Sequence, residues 1–218
     1  GLVVTVDYPD ETDLAEGFAL LPTNGGRLTL PASTIAVSDT LNFRNRAGCH
    51  IEGQGAPGID GATNTKLLWI GPTDGRPMLD MSGTRQCSVS RLGMFGRNQG
   101  APSGASPNVV GILARGNPTY QGCFFNTLEH LHVQDFAVGV ELGSGTDQVD
   151  SWTINKTFVY QGTTSTGIKV NSTNALTIAV TDTSVVGVGG STPDEACGIH
   201  VVVGALKANN LNVPAGHF

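Results

Sequence analysis

A short segment that begins with glycine occurs four times in the second half of the chain. Its copies are GILA (111–114), GVEL (139–142), GIKV (167–170) and GIHV (198–201). The glycines of successive copies stand 28, 28 and 31 residues apart. Repeats of this length are typical of solenoids, in which each unit buries its apolar side chains against the next unit. The spacing therefore limits the fold to a stack of similar coils.

A second segment with alternating apolar residues follows each glycine-led one. Its alignment gives two columns, which are Leu92, Leu131, Thr157, Thr183 and Leu211, and two places further on Met94, Val133, Val159, Val185 and Val213. Residues two apart share one face of a strand. In the glycine-led segments this rule places Ile168 and Val170 inward. It places Glu141 and Lys169 outward in one column, where they predict a surface ion pair.

Short strands separated by turns, without a helical pattern between them, predict a parallel β-helix. A β-propeller needs antiparallel blades and a period of about 40–50 residues. A β-sandwich does not keep a spacing of 26–28 residues over four coils. We therefore predict an all-β solenoid in which each glycine-led segment is the same strand, one coil further along.

The front of the chain follows a different pattern. Leu14, Phe18 and Leu21 recur at helical spacing, and Asp10 or Thr12 is available as the N-cap. We predict a short amphipathic helix near residues 10–21 that covers the open edge of the first coil. The predicted domain is a single β-helix over 1–218, with a cap region at 1–33, coils over about 34–213 and an inserted loop at 98–108.

Charge and hydropathy argue against two classes of partner. The net charge is −6 and no run is rich in Lys or Arg, so the electrostatic footprint of a nucleic-acid binder is missing. No apolar run approaches the roughly 18 residues of a membrane span. We therefore predict neither nucleic-acid binding nor membrane insertion.

The four cysteines, Cys49, Cys87, Cys123 and Cys197, form no C-x-x-C pair. Their wide and irregular spacing predicts buried, reduced thiols and a reducing compartment rather than a disulfide framework. We also predict no metal and no cofactor. The segment GQGAPG (53–58) matches a dinucleotide-binding motif, but the residues that follow it offer no helix.

Three motifs carry a resemblance to a known family. GGRLTLPAS (25–33), CHIEGQG (49–55) and TKLLWIG (65–71), preceded by the helix, resemble the opening of the pectate-lyase-like β-helix superfamily. The resemblance implies a right-handed parallel β-helix with a short N-terminal capping helix. It leaves function open between virion appendages, such as phage tailspikes, and polysaccharide lyases or glycoside hydrolases. Ser33 departs from the usual glycine, and the signatures Asn-x-Asp, Asp-Asp, Gly-His-Gly and Arg-x-Lys do not occur.

The outward and turn columns contain one candidate site. The columns run Ser90, Glu129, Asn155, Thr181 and Asn209; Arg91, His130, Lys156, Asp182 and Asn210; and Gly93, His132, Phe158, Ser184 and Asn212. No two acids stand on adjacent coils in a column, so the carboxyl pair of a glycosidase is not predicted and catalytic residues stay unassigned. We predict glycan binding by Glu129, His130, His132 and Lys156. The alternative is an ordinary solvated face.

Two function hypotheses follow. The first is a structural or receptor- or glycan-binding β-helix of a virion, such as a phage tail or head appendage, without catalysis. The alternative is a polysaccharide lyase or glycoside hydrolase that acts on an acidic glycan. The expected location is the virion, or otherwise outside the cell by secretion.

The last recognisable coil predicts association with a partner. An uncovered coil exposes the axial side of its apolar residues, here Ile199, Val201, Leu211 and Val213, and leaves backbone groups unpaired. We expect self-association, which the resemblance to tailspikes implies as a homotrimer, or contact with other virion proteins. Polysaccharide is a further expected partner.

Overall fold

The computed structural model describes residues 1–6, 10–57, 64–96, 108–116, 122–161, 165–187 and 198–213. These ranges contain the helix α1 (Glu11–Leu20) and twenty short strands. In chain order the strands are β1 (Leu2–Thr5), β2 (Asn24–Thr29), β3 (Thr34–Val37), β4 (Leu41–Asn42), β5 (Ala47–Glu52), β6 (Lys66–Trp69), β7 (Pro77–Asp80), β8 (Ser88–Phe95), β9 (Val110–Ala114), β10 (Cys123–Phe124), β11 (Thr127–Gln134), β12 (Val138–Gly145), β13 (Val149–Asp150), β14 (Trp152–Asn155), β15 (Phe158–Gln161), β16 (Thr166–Ser172), β17 (Ile178–Thr181), β18 (Ser184–Gly187), β19 (Ile199–Val203) and β20 (Leu206–Asn209).

The strands form long ladders in which neighbours come from successive turns of the chain. The main path of the larger sheet runs β1-β2-β5-β8-β11-β14-β17-β20, and β3, β6, β15 and β18 join the same sheet. A second sheet of six strands runs β4-β7-β9-β12-β16-β19. Every pairing among these strands is parallel, as in β11 with β8 and with β14. The predicted parallel β-helix with one N-terminal helix is confirmed.

The pairing register agrees with the predicted columns. Leu131 lies beside Leu92, and both side chains are fully buried. Ile168 lies between Val140 and Ile199 on neighbouring coils. The last described coil differs from the expectation, because Ile199 is 7% exposed and therefore covered, whereas Val201 of the same strand is 41% exposed.

Helix α1 lies against the first coils as predicted. The Asp10 carboxylate is the N-cap and accepts a hydrogen bond of 2.8 Å from the backbone N–H of Asp13. Leu14 and Phe18 are buried, and the edge of the Phe18 ring meets the Phe43 ring at 6.1 Å between centroids. Arg46, the residue directly before β5, donates to the Phe18 carbonyl at 2.7 Å. This hydrogen bond satisfies a carbonyl at the helix C-terminus, where the last carbonyls have no partner within the helix.

The ladder already begins inside the predicted cap region at 1–33. β2 pairs with β5, and β1, for which the sequence predicted no strand, pairs with β2. Most of the predicted loop at 98–108 lies outside the described residues. The division into cap, coils and insertion stays a prediction.

The three described cysteines are free thiols in the interior, as predicted, whereas Cys197 lies outside the described residues. Cys49, Cys87 and Cys123 are each at most 1% exposed. Burial raises the pKa of the Cys87 and Cys123 thiols to about 11, because an apolar environment disfavours the thiolate. The thiolate is the reactive form of cysteine. These thiols are therefore protected from reaction both because they are buried and because they stay protonated.

Thiol titration tests this arrangement. In the folded protein at about pH 8, we expect Cys49, Cys87 and Cys123 to stay unreactive, because they are buried neutral thiols. In denaturant without reductant, we expect four reactive groups in the chain. Two or none after denaturation would contradict the prediction of reduced cysteines.

Candidate functional site

A polar face covers part of the outer side of the larger sheet. It consists of the outward residues of β5, β8, β11, β14 and β17, and every member is half-buried: His50, Glu52, Ser88, Ser90, Thr127, Glu129, Thr153, Asn155 and Thr181. The residues between them, such as Leu128 and Ile154, are fully buried. The period-two alternation therefore places carboxylate, amide, imidazole and hydroxyl groups side by side on one regular surface.

A turn row borders this face where the chain bends after the last outward residue of each coil. It consists of Arg91, His130, Lys156, Asp182 and Asn210, which occupy the same position on successive coils and have φ values between 45° and 58°. This left-handed conformation costs about 1–2 kcal/mol per residue without glycine. Because all five share it, their side chains leave the coil at one border, about 4.8 Å apart along the axis.

A depression of about 330 Å³ lies where the polar face meets the turn row. It is lined by Glu52, Ser90, Arg91, Glu129 and His130. Glu52 and Glu129 both pair with Ser90, one on each side, so two carboxylates stand two coils apart with a hydroxyl between them. The sequence columns began at Ser90 and missed Glu52, because residues 53–65 separate β5 from β6 and interrupt the repeat directly after Glu52.

Hydrogen bonds between coils orient the Glu129 carboxylate. The Asn155 amide donates to Oε1 of Glu129 at 3.0 Å, and its own oxygen accepts from the Thr181 hydroxyl at 2.9 Å. Nε2 of His130 lies 4.0 Å from the same carboxylate oxygen. On the other side of the depression, Glu52 forms an ion pair with Arg27 at 3.3 Å. The site therefore has an ordered set of acceptors beside the donors Arg91, His130 and Lys156 of the turn row.

The four predicted glycan-binding residues do not all come together. Glu129 and His130 line the depression, and Lys156 extends the turn row by one coil and is exposed. His132 is only 8% exposed and lies on the other side of the turn. Its Nδ1 contacts the Pro57 carbonyl at 2.5 Å and its Nε2 contacts Oε1 of Gln134 at 3.0 Å.

Aromatic rings complete the surroundings of His132. The imidazole lies 5.0 Å from the Phe158 ring and 5.2 Å from the Phe95 ring, between centroids. Its Gly93 neighbour has no room for a Cβ, which would stand 2.7 Å from Cδ of Pro57. The segment that contains Pro57 thus covers this part of the coil, and His132 contacts that segment rather than facing the depression.

A larger depression of about 570 Å³ lies between α1 and the coils. Its cationic residues already have partners inside the protein. Arg44 donates from Nε to Asp80 at 2.7 Å, and Arg46 donates to the carbonyls at the end of α1. The charges of both arginines in this depression are therefore engaged within the fold.

No group of three or more His, Cys, Asp or Glu side chains is placed to hold a metal ion within the described ranges. In the same ranges, no helix has the length and apolar character needed to cross a bilayer.

Comparison with known proteins gives likeness in structure only. No family model matches the chain, and no curated protein matches it. One similar solved structure is ORF18 of Geobacillus virus E2, with 10% identity over 97% of this chain and 50% of that chain, at a TM-score of 0.59. Another is a mutant of AlyGC, a PL6 family alginate lyase, with 14% identity over 96% of this chain and 29% of that chain, at a TM-score of 0.51.

These likenesses define the class of fold. At 10% and 14% identity they show a shared architecture and nothing finer. The chain spans half or less of the length of the structures it matches. It is a parallel β-helix protein, similar in fold to a viral protein and to a polysaccharide lyase.

Replacing Lys156 by glycine tests the strain in the turn row. We expect the free energy of unfolding to rise by up to about 1 kcal/mol, because glycine adopts positive φ freely and the exposed Lys156 side chain packs little. Urea unfolding measures the change. The matched control is Thr153→Gly in the adjacent regular strand, which we expect to lower the same free energy by about 1 kcal/mol. Equal losses of unfolding free energy in both variants would contradict the presence of backbone strain at Lys156.

Proposed function

We propose that this chain is a β-helix of a virion, part of a tail or head appendage, that binds an acidic polysaccharide on the polar face. The observation that carries the proposal is the depression lined by Glu52, Ser90, Arg91, Glu129 and His130. It combines hydrogen-bond acceptors for sugar hydroxyls with cationic donors for acidic groups. The likeness to a Geobacillus virus E2 protein supports a virion setting.

The spacing of the turn row suits a repeating anion. Arg91, His130 and Lys156 stand on three successive coils, about 4.8 Å apart. An acidic polysaccharide repeats its charge along the chain, so one molecule engages several donors of the row at once. Contacts that form together raise the overall affinity without requiring any single strong one. Each contact between one of these donors and an acidic group of the ligand is a charge-assisted hydrogen bond, which is stronger than a hydrogen bond between neutral groups.

The row is also rigid before a ligand arrives. Backbone hydrogen bonds hold the turns, as in Lys156 N–H to the Thr181 carbonyl at 3.1 Å and Gly55 N–H to the Arg91 carbonyl at 2.9 Å. The Asn155 amide is fixed from both sides. A preorganised site loses little conformational entropy on binding, which favours affinity.

The second candidate function is cleavage of the bound polysaccharide. Glu52 and Glu129 on either side of Ser90 are the observation that favours it, because glycosidases use two carboxyl groups separated by roughly 5–10 Å. The likeness to an alginate lyase supports the same class of substrate. We rank binding without cleavage first, since Glu129 and Glu52 are both engaged by partners on adjacent strands.

Calorimetric titration with alginate and with neutral dextran tests the proposal. We expect alginate to bind and dextran not to bind, and Arg91→Gln or Lys156→Gln to weaken alginate binding about tenfold each, the effect of losing about 1.4 kcal/mol. The matched control is Arg115→Gln, an exposed cation that follows β9 on the other sheet.

The same samples, assayed for unsaturated products and new reducing ends, separate the two functions. Turnover that disappears in Glu52→Gln and Glu129→Gln would reverse the ranking. Equal binding of alginate by the parent protein and the turn-row variants would contradict the site.

The proposal includes assembly as a homotrimer or with other virion proteins. Closed cyclic symmetry covers an open coil edge identically in every copy. Light scattering on the purified chain is expected to give three times the mass of the monomer. A monomer at every concentration would contradict self-association.

A further inference from the structure

A second turn row borders the polar face on its opposite side. It consists of Gly25, Gly48, Gln86, Phe125 and Ser151, which hold the same position on successive coils and have φ values between 54° and 64°. Bridges between their neighbours fix the alignment, with Arg85 beside Ala47 and beside Phe124. Glycine adopts this conformation freely, and the glutamine and serine are polar residues at a solvated turn. Phe125 differs from all of them.

The Phe125 ring contributes little to the fold. Its side chain is 63% exposed, so most of its apolar surface stays in water. Within the described residues, the Phe125 ring contacts the ring of Phe124, at 6.4 Å between centroids and 60° between planes. A bulky residue at φ 58° also carries backbone strain of about 1–2 kcal/mol. Strained backbone concentrates at functional sites, and position 125 adds an unburied aromatic group to that strain.

The ring is nevertheless held on a firm base. The Phe124 ring lies against Gly122, where an added Cβ would stand 1.8 Å from the ring. The Phe125 N–H donates to the Asp150 carbonyl on the next coil at 3.3 Å. Asn126, the next residue, is buried and donates to the Thr84 carbonyl at 3.0 Å. The aromatic side chain is thus presented to solvent from a fixed turn.

One coil brings this ring to the polar face. Phe125 stands two residues before Thr127 and four before Glu129, the outward residues of β11, and His130 follows at the other border. Along an extended strand the five residue steps from Phe125 to His130 span about 16 Å. A ligand that contacts both borders is therefore longer than a single sugar ring.

We propose that Phe125 is a sugar-stacking residue that binds the apolar face of a pyranose ring. The C–H groups of such a ring carry partial positive charge, which suits the negative face of the aromatic quadrupole. Ser151, on the coil after, supplies a hydroxyl for the sugar's own hydroxyls. This inference rests on the proposed polysaccharide binding and adds a second contact about 16 Å from the turn row with Arg91, His130 and Lys156.

The experiment measures stability and binding in the same variants, with alginate hexasaccharide and disaccharide as probes. We expect Phe125→Gly to raise Tm, because glycine relieves the left-handed strain, and to weaken hexasaccharide binding about tenfold. We expect disaccharide binding at the turn row to stay unchanged, because that ligand does not reach position 125. Phe125→Tyr retains a ring and is expected to keep the parent affinity.

The matched control is Gln86→Gly, which makes the same substitution at the same φ one coil earlier. We expect it to raise Tm while leaving the affinity for the hexasaccharide within twofold of the parent value, about 0.4 kcal/mol. Unchanged hexasaccharide binding by Phe125→Gly would overturn the stacking role alone. Absence of binding by the parent protein would overturn the proposed function, and the stacking role with it.

Discussion

The parallel ladder of strands is the constraint on which the rest of this structure depends. On the adjacent strands, the nearest neighbours of each residue are the residues at the same position on the coils before and after, about 4.8 Å away. Inward positions therefore have to pack as apolar columns, as in Leu92 beside Leu131 and Val140 beside Ile168. Outward positions obey the same spacing without the demand for apolar packing. The ladder thus turns any chemical group that repeats in the sequence into a straight row on the surface.

The turns show how that spacing is maintained where the chain changes direction. Both turn rows use the left-handed conformation at one residue per coil, in most cases without glycine. A single such residue is strained, but the parallel pairing on each side leaves the bend no alternative. Lys156 and Phe125 are held by backbone hydrogen bonds to the following coil. Strain at the borders is therefore a local consequence of a regular interior.

The sequence predicted what the ladder repeats and missed what interrupts it. Alternation identified the inward columns and helical spacing identified the helix at 10–21, because both patterns are local. Glu52 was missed because residues 53–65, between β5 and β6, interrupt the repeat directly after it. His132 was placed on an open face, yet a loop from another coil covers it and its imidazole holds the Pro57 carbonyl. Contacts made by inserted loops depend on where they pack, which no period in the sequence records.

The ion pair between Glu141 and Lys169 shows that a column predicts the partner of a residue but not its burial. The sequence predicted the pair from its column, and the structure has it at 3.1 Å. It is not the freely solvated pair expected, since the Glu141 side chain is 12% exposed and that of Lys169 is 29% exposed. A column gives the neighbour of a residue, but burial depends on what lies above the sheet.

Function in such a solenoid follows from which outward groups one coil brings together. The coil that contains β11 carries an aromatic ring at Phe125, a hydroxyl at Thr127, a carboxylate at Glu129 and an imidazole at His130. Neighbouring coils supply Ser90, Arg91 and Asn155 in register with that set. Because the interior fixes every spacing, changes at these outward positions alter the chemistry of the surface while leaving the columns beneath them intact. The ladder therefore separates the requirements of stability from those of recognition, except at the left-handed turns, where one residue must satisfy both.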